Sequence, residues 1–121
     1  MRVPVSGLTF YRLVRTDPPT DIDFVPNGRL PGESLWRPTH PQADAWNDGI
    51  SVWDSLDEAR SLAGRLSASP KGNPFRFIAR LDFPSSSPVV GEGPGKRGHW
   101  TLYGSVTEEL SSAVTSSSEP V

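Results

Sequence analysis

Three short runs hold the residues whose types and spacing can do chemistry. In Phe10-Tyr-Arg-Leu-Val14, Arg12 stands among apolar neighbours. Strand alternation puts Phe10, Arg12 and Val14 on one face and Tyr11 and Leu13 on the other. A guanidinium so placed is a fixed cation with a rigid fork of donors, suited to phosphate, carboxylate or an amide oxygen. Gly49-Ile-Ser-Val-Trp53 carries the hydroxyl of Ser51 and the indole of Trp53 on a second strand. A serine on a strand that runs into a helix is one way to line a cleft, though more often a piece of scaffold. In Gly98-His-Trp-Thr-Leu-Tyr-Gly104, His99, Thr101 and Tyr103 stand two residues apart. Period-two spacing sets them on one strand face, opposite Trp100 and Leu102. Such a face is either solvated or the wall of a site for a planar or hydroxylated ligand.

Other chemistries fail on spacing. Gly91-Glu-Gly-Pro-Gly-Lys-Arg-Gly98 looks like a phosphate loop, but Val90 stands where the Walker pattern needs its first glycine. Arg97 follows the lysine where Ser or Thr is required. A hairpin turn is expected there, with Lys96 and Arg97 free to meet a phosphate or a partner carboxylate. The chain has 2 His and no Cys. No thiolate, disulfide or histidine-pair metal spacing exists, so no metal site is expected. No Gly-x-Ser-x-Gly elbow marks a hydrolase. Asp44 and Asp48 flank Trp46 without the marks of a catalytic pair.

The elements that position these residues follow from periodicity. Leu8 to Val14 reads as the first strand. Thr16 to Phe24, with two prolines, reads as a turn and a short helix. Residues 26 to 49 are dense in Pro, Gly and Asn turn signals, yet contain Leu35, Trp36 and Trp46. That stretch is either a pocket wall or a satellite cluster. Ser55 and Glu58 stand at capping-box spacing. Leu56, Ala59, Leu62, Ala63 and Leu66 then recur on one face of a helix, with Asp57, Glu58, Arg60 and Arg65 on the other. Phe75 to Phe83 alternates so cleanly that it is expected to be the central strand, with Phe75, Phe77, Ala79, Leu81 and Phe83 on one face. Val89-Val90 and Trp100 to Val106 complete the strands, and Thr107 begins a short helix. The strands cluster after the main helix. The expected class is therefore α+β, a small, mostly antiparallel sheet with one main helix. Residues 1–110 are expected to form one domain and 111–121 a disordered tail.

Composition sets the outer limits. The chain has 121 residues, a net charge of -2, 35% apolar residues and 13 Pro. Such a balance disfavours nucleic acid as a partner. No apolar run approaches the ~20 residues of a membrane helix, and the start has no signal-like apolar stretch. A cytoplasmic protein without membrane attachment is expected.

The order of Arg12 on an early strand, Ser51 on a middle strand and the helix Glu58-Ala-Arg-Ser-Leu-Ala63 resembles small ADP-ribosyltransferase-like domains. It is similar, too, to the bacterial NAD-degrading toxins named for Arg, Glu and Ser. The resemblance implies a split sheet with a cleft, and NAD as ligand or substrate. By position, Arg12 would contact NAD and Ser51 would hold its nicotinamide side, facing one concavity. His99 would join them as a catalytic group, with Trp53, Thr101 and Tyr103 lining the cofactor site. The glutamate of that pattern is missing from the late strand; Glu108 and Glu109 come after it. An ADP-ribosyltransferase or NAD glycohydrolase is thus one expectation. The other is a non-catalytic interaction module, antitoxin-like or phage-encoded, that presents the Trp-bearing loop to a protein partner.

Overall fold

The computed structural model describes residues 1–103 and 115–121. Strands β1 (Val3–Pro4), β2 (Thr9–Val14), β3 (Ile50–Trp53), β4 (Phe77–Asp82), β5 (Val90–Glu92), β6 (His99–Tyr103) and β7 (Thr115–Pro120) alternate with helices α1 (Ala43–Asp48) and α2 (Leu56–Ser67). Among the described residues the strands form one sheet in the order β1-β5-β6-β3-β2-β4-β7. Every neighbouring pair is antiparallel. The molecule is thus a small mixed α/β domain with an antiparallel sheet and one main helix.

The two faces of the sheet are separated by the alternation in β2, β3 and β4. Phe10, Val14, Ile50, Val52, Ala79, Leu81 and Leu102 point to one side, where Val5, Phe24, Phe83 and Val89 close the larger core. Phe10 meets Phe83 and Trp100 edge-on, with ring centroids 5.9 and 5.4 Å away. On the other side Tyr11, Leu13, Trp53 and Ile78 receive Leu56, Ala59, Leu62, Ala63 and Leu66 of α2. The helix starts where expected. Extended Ser55 takes the cap position, and its Oγ accepts from Glu58 N at 3.4 Å.

Four expectations change. β4 is not central: it lies between β2 and β7, and β3 takes the middle of the sheet. Phe75 leaves the Phe77 face and joins the helix-side core, because Asn73 Oδ1 accepts from Phe75 N at 2.9 Å and bends the chain before β4 begins. The irregular stretch from 26 to 49 contains α1 and a helical turn at Asn27–Arg29. Finally, Thr115–Pro120, expected within a disordered tail, pairs along β4. Main-chain donors and acceptors on an open strand edge offer that pairing whatever the side chains are. The helix expected from Thr107, Val106 at the end of its strand, and residues 111–114 of the tail lie outside the described residues.

The loop before β3 is held by its own side chains. Trp36 and Trp46 stack at 4.7 Å with 9° between their planes, and His40 lies 4.3 Å from Trp36. Asn47 grips the main chain of Trp36 from both sides, accepting from its N at 2.8 Å and donating to its O at 3.0 Å. Trp46 Nε1 donates to Ser34 O. This is the satellite cluster of the two alternatives, and Asn27, Ala45 and Gly49 of the same stretch also border a cavity.

Candidate functional site

The site grows from one irregularity in the sheet. β2 and β3 register at Tyr11↔Trp53, and no further pair between them is registered. Beyond that pair, towards Val14 and Gly49, the Arg12 guanidinium takes the place of the missing ladder. Its Nη1 donates to Ser51 O at 2.5 Å and its Nε to Asp23 O at 2.7 Å. By alternation from Tyr11↔Trp53, Arg12 and Ser51 leave the sheet on opposite faces. They nevertheless both border one cavity of about 220 Å³. Leu13, Trp53, Leu62, Leu66 and Phe75 form the apolar part of that cavity. Burial lowers the Arg12 pKa to about 10, against the opposing pull of nearby Asp23. The group stays charged at neutral pH.

Asp23 anchors this arrangement from behind. It is 1% exposed. Its carboxylate accepts from Arg15 N at 2.7 Å, and from Thr16 Oγ1 and Thr20 N at 3.0 Å. A buried carboxylate so satisfied is structural, and the turn it holds presents Asp23 O to Arg12.

Ser51 and His99 meet across β3 and β6. Registered pairs Ser51↔Thr101 and Trp53↔His99 put all four on one face of the sheet. His99 Nε2 lies 3.0 Å from Ser51 Oγ. The His99 ring is 5.4 Å from Trp53. Burial lowers the His99 pKa below its ordinary value, so the imidazole is neutral at pH 7. A neutral imidazole on a hydroxyl either accepts its proton or donates to its oxygen. Trp53 also borders a second, open groove of about 430 Å³, shared with Arg65, Lys96, Arg97 and His99. Cavity and groove therefore adjoin at Trp53 and at the Ser51–His99 contact.

Two of the expected site residues are elsewhere. Thr101 and Tyr103 line neither the cavity nor the groove. Both lie under Gly49: a Cβ there would come within 2.5 Å of Thr101 Cγ2 and 3.0 Å of Tyr103 Cε1. The outer side of Tyr103 is covered by Arg2, whose guanidinium carbon is 3.7 Å from the ring centroid. Arg2 is itself held by Asp44 at 3.1 Å and Glu92 at 3.5 Å. Burial, then Glu92, raises the Tyr103 pKa. The period-two face is real, but helix α1 and the first strand cover its far end. Only His99 reaches the site.

Leu62, Leu66, Phe75 and Asn27 also border the cavity. Spacing marks Leu62 and Leu66 only as a helix face, since an apolar residue at helical spacing looks the same whether it faces core or cavity; Phe75 reads as part of a strand and Asn27 as part of a turn. Among the described residues no group of His, Asp or Glu gathers to hold a metal ion, and no helix is long and apolar enough to cross a membrane. No family model, no curated protein and no solved structure matches this chain.

Proposed function

We propose that the cleft binds NAD or a related nucleotide, as the resemblance to ADP-ribosyltransferase-like domains implies. The observation that supports this reading most is that Ser51 and Trp53 line a mixed polar and apolar cavity walled by Arg12, while His99, in contact with Ser51, lines the adjoining groove. At about 220 Å³ the cavity is smaller than the ~300–1,000 Å³ of sites for whole drug-sized ligands. It suits one ring, with the remainder of the ligand extending past Trp53. In this reading the ring stacks on Trp53, and Ser51 and His99 hydrogen-bond its polar substituent. Arg12 is a positioning residue, because two of its donors hold Ser51 O and Asp23 O.

Cleavage of a glycosidic bond needs a group that stabilises positive charge on the ribose. Among the described residues no carboxylate lines either concavity. The proposal is therefore binding. The alternative of a module presenting the Trp-bearing loop is less well supported, since Trp36 and Trp46 stack on each other and Trp46 Nε1 is hydrogen-bonded within the loop. Calorimetric titration of NAD decides the matter. Binding to the wild type is expected, with a loss of ~1–3 kcal/mol on Trp53→Ala, the scale of a lost base–aromatic stack. No heat from the wild type would refute the reading. Nicotinamide released in the same mixture would extend it to glycosidic cleavage.

A further inference from the structure

Arg65, Lys96 and Arg97 form a cluster of cations that the fold itself does not use. Most other basic residues near a carboxylate are paired. Arg2 pairs with Asp44 and Glu92, Arg29 with Asp48, Arg60 with Glu119 and Arg80 with Asp82. Arg65, Lys96 and Arg97 have no carboxylate partner among the described residues, yet all three line the groove beside Trp53 and His99. The last turn of α2 favours a cation through the helix dipole, which accounts for Arg65 alone. Nothing of that kind accounts for Lys96 and Arg97.

Their turn is built with some strain. Arg97 has φ 58° and ψ 32°, and is the one non-glycine residue with positive φ among those described. Gly98 follows with φ 76°. A side chain at Gly98 is further excluded, since its Cβ would fall about 2.2 Å from Asp54 Oδ1. Asp54 N donates to Gly98 O at 3.0 Å, tying the turn to the end of β3. The Asp54 carboxylate accepts from Trp100 Nε1 and does not line the groove. A strained backbone that brings unpaired like charges together is a feature of sites that receive an opposite charge.

We infer that this groove is an anion subsite that holds the phosphate groups of a nucleotide ligand. The inference rests on the nucleotide reading of the adjoining cavity. The groove is open enough for a diphosphate, and cations from two separate elements face it. A ligand whose ring enters the cavity passes Trp53 and reaches these cations without leaving the protein surface.

Inorganic pyrophosphate, NAD and nicotinamide riboside, which has no phosphate, are titrated separately into the full chain. The wild type is compared with Lys96→Ala/Arg97→Gly and with Arg65→Ala. Glycine suits the left-handed position, so the double variant keeps its unfolding midpoint. Pyrophosphate is expected to bind the wild type and to compete with NAD. Both should weaken at least ten-fold in the double variant and on raising the salt, while the riboside is unaffected by either. NAD binding that is indifferent to salt and to all three substitutions would overturn the subsite and leave the cavity reading intact. Pyrophosphate binding that survives the substitutions would place the anion elsewhere and overturn it too. Pyrophosphate binding without NAD binding would keep the groove and remove the cavity reading.

Discussion

Arg12 and His99 show how one side chain can serve fold and site together. The Arg12 guanidinium stands in for the missing β2–β3 ladder by donating to Ser51 O and Asp23 O. It thereby fixes the carbonyl of the residue whose hydroxyl faces His99. His99 is half-buried, and burial lowers its pKa. The unfolded chain takes up a proton on this histidine near pH 6.5, while the folded chain resists it. His99 therefore contributes its full share of stability above about pH 6.5. That share is lost as pH falls from there through the folded-state pKa. Urea midpoints measured from pH 7.5 to pH 5 should fall for the wild type more than for His99→Gln. Equal slopes for the two proteins would show that His99 is not the buried neutral group described.

At the scale of elements, two glycines separate backbone propensity from packing. Gly64 lies on the exposed side of α2, and a Cβ there meets nothing within 4 Å. Gly64→Ala is expected to stabilise the protein by about 0.5–1 kcal/mol, since glycine is a poor residue for a helix interior. Gly49 lies between α1 and β3, and its Cβ would press on Thr101 and Tyr103. Gly49→Ala is expected to destabilise by about 1–3 kcal/mol through overpacking. Denaturant unfolding of the pair tests the arrangement, because opposite signs are required of the same substitution. Gly49 also sets how near α1 comes to β6, and so how completely Thr101 and Tyr103 are shut away from the cavity.

For the whole molecule, the sheet is asymmetric. The cavity and groove lie at its middle, around β3 and β6, while its last strand comes from beyond residue 114. β7 covers the edge of β4 from Phe77↔Pro120 to Leu81↔Thr115, with an irregularity between Arg80 and Leu81. Arg60 of α2 reaches Glu119 of β7 at 2.6 Å, an exposed pair of small energetic weight. Main-chain pairing is thus the main tie. Amide exchange should find the β4 donors that face β7 protected to the same degree as those facing β2. Fast exchange on the β7 side alone would mean that the edge is open. The net charge of -2 also misleads at this scale, for a nearly balanced total conceals a local collection of cations.

Periodicity alone determined the existence of β2, β3, β4, β6 and α2, because each must bury one face and the spacing of Phe, Leu, Val and Ala records which one. The Ser55 cap was legible for the same local reason: its partner is three residues away. Position within the sheet was not legible. β4 has the clearest alternation but flanks the edge strand, since order depends on non-local pairing. Nor could spacing tell His99 from Tyr103 on the same strand face. Only the packing of α1 and the N-terminal strand buries one and leaves the other beside Ser51. The opening between β2 and β3 is tertiary as well, for it needs Asp23 O and Ser51 O, remote in sequence, to meet one guanidinium. The cationic groove follows the same logic. Lys96 and Arg97 were legible as a pair able to meet a phosphate, but Arg65 joins them only once α2 and the turn before β6 are folded side by side.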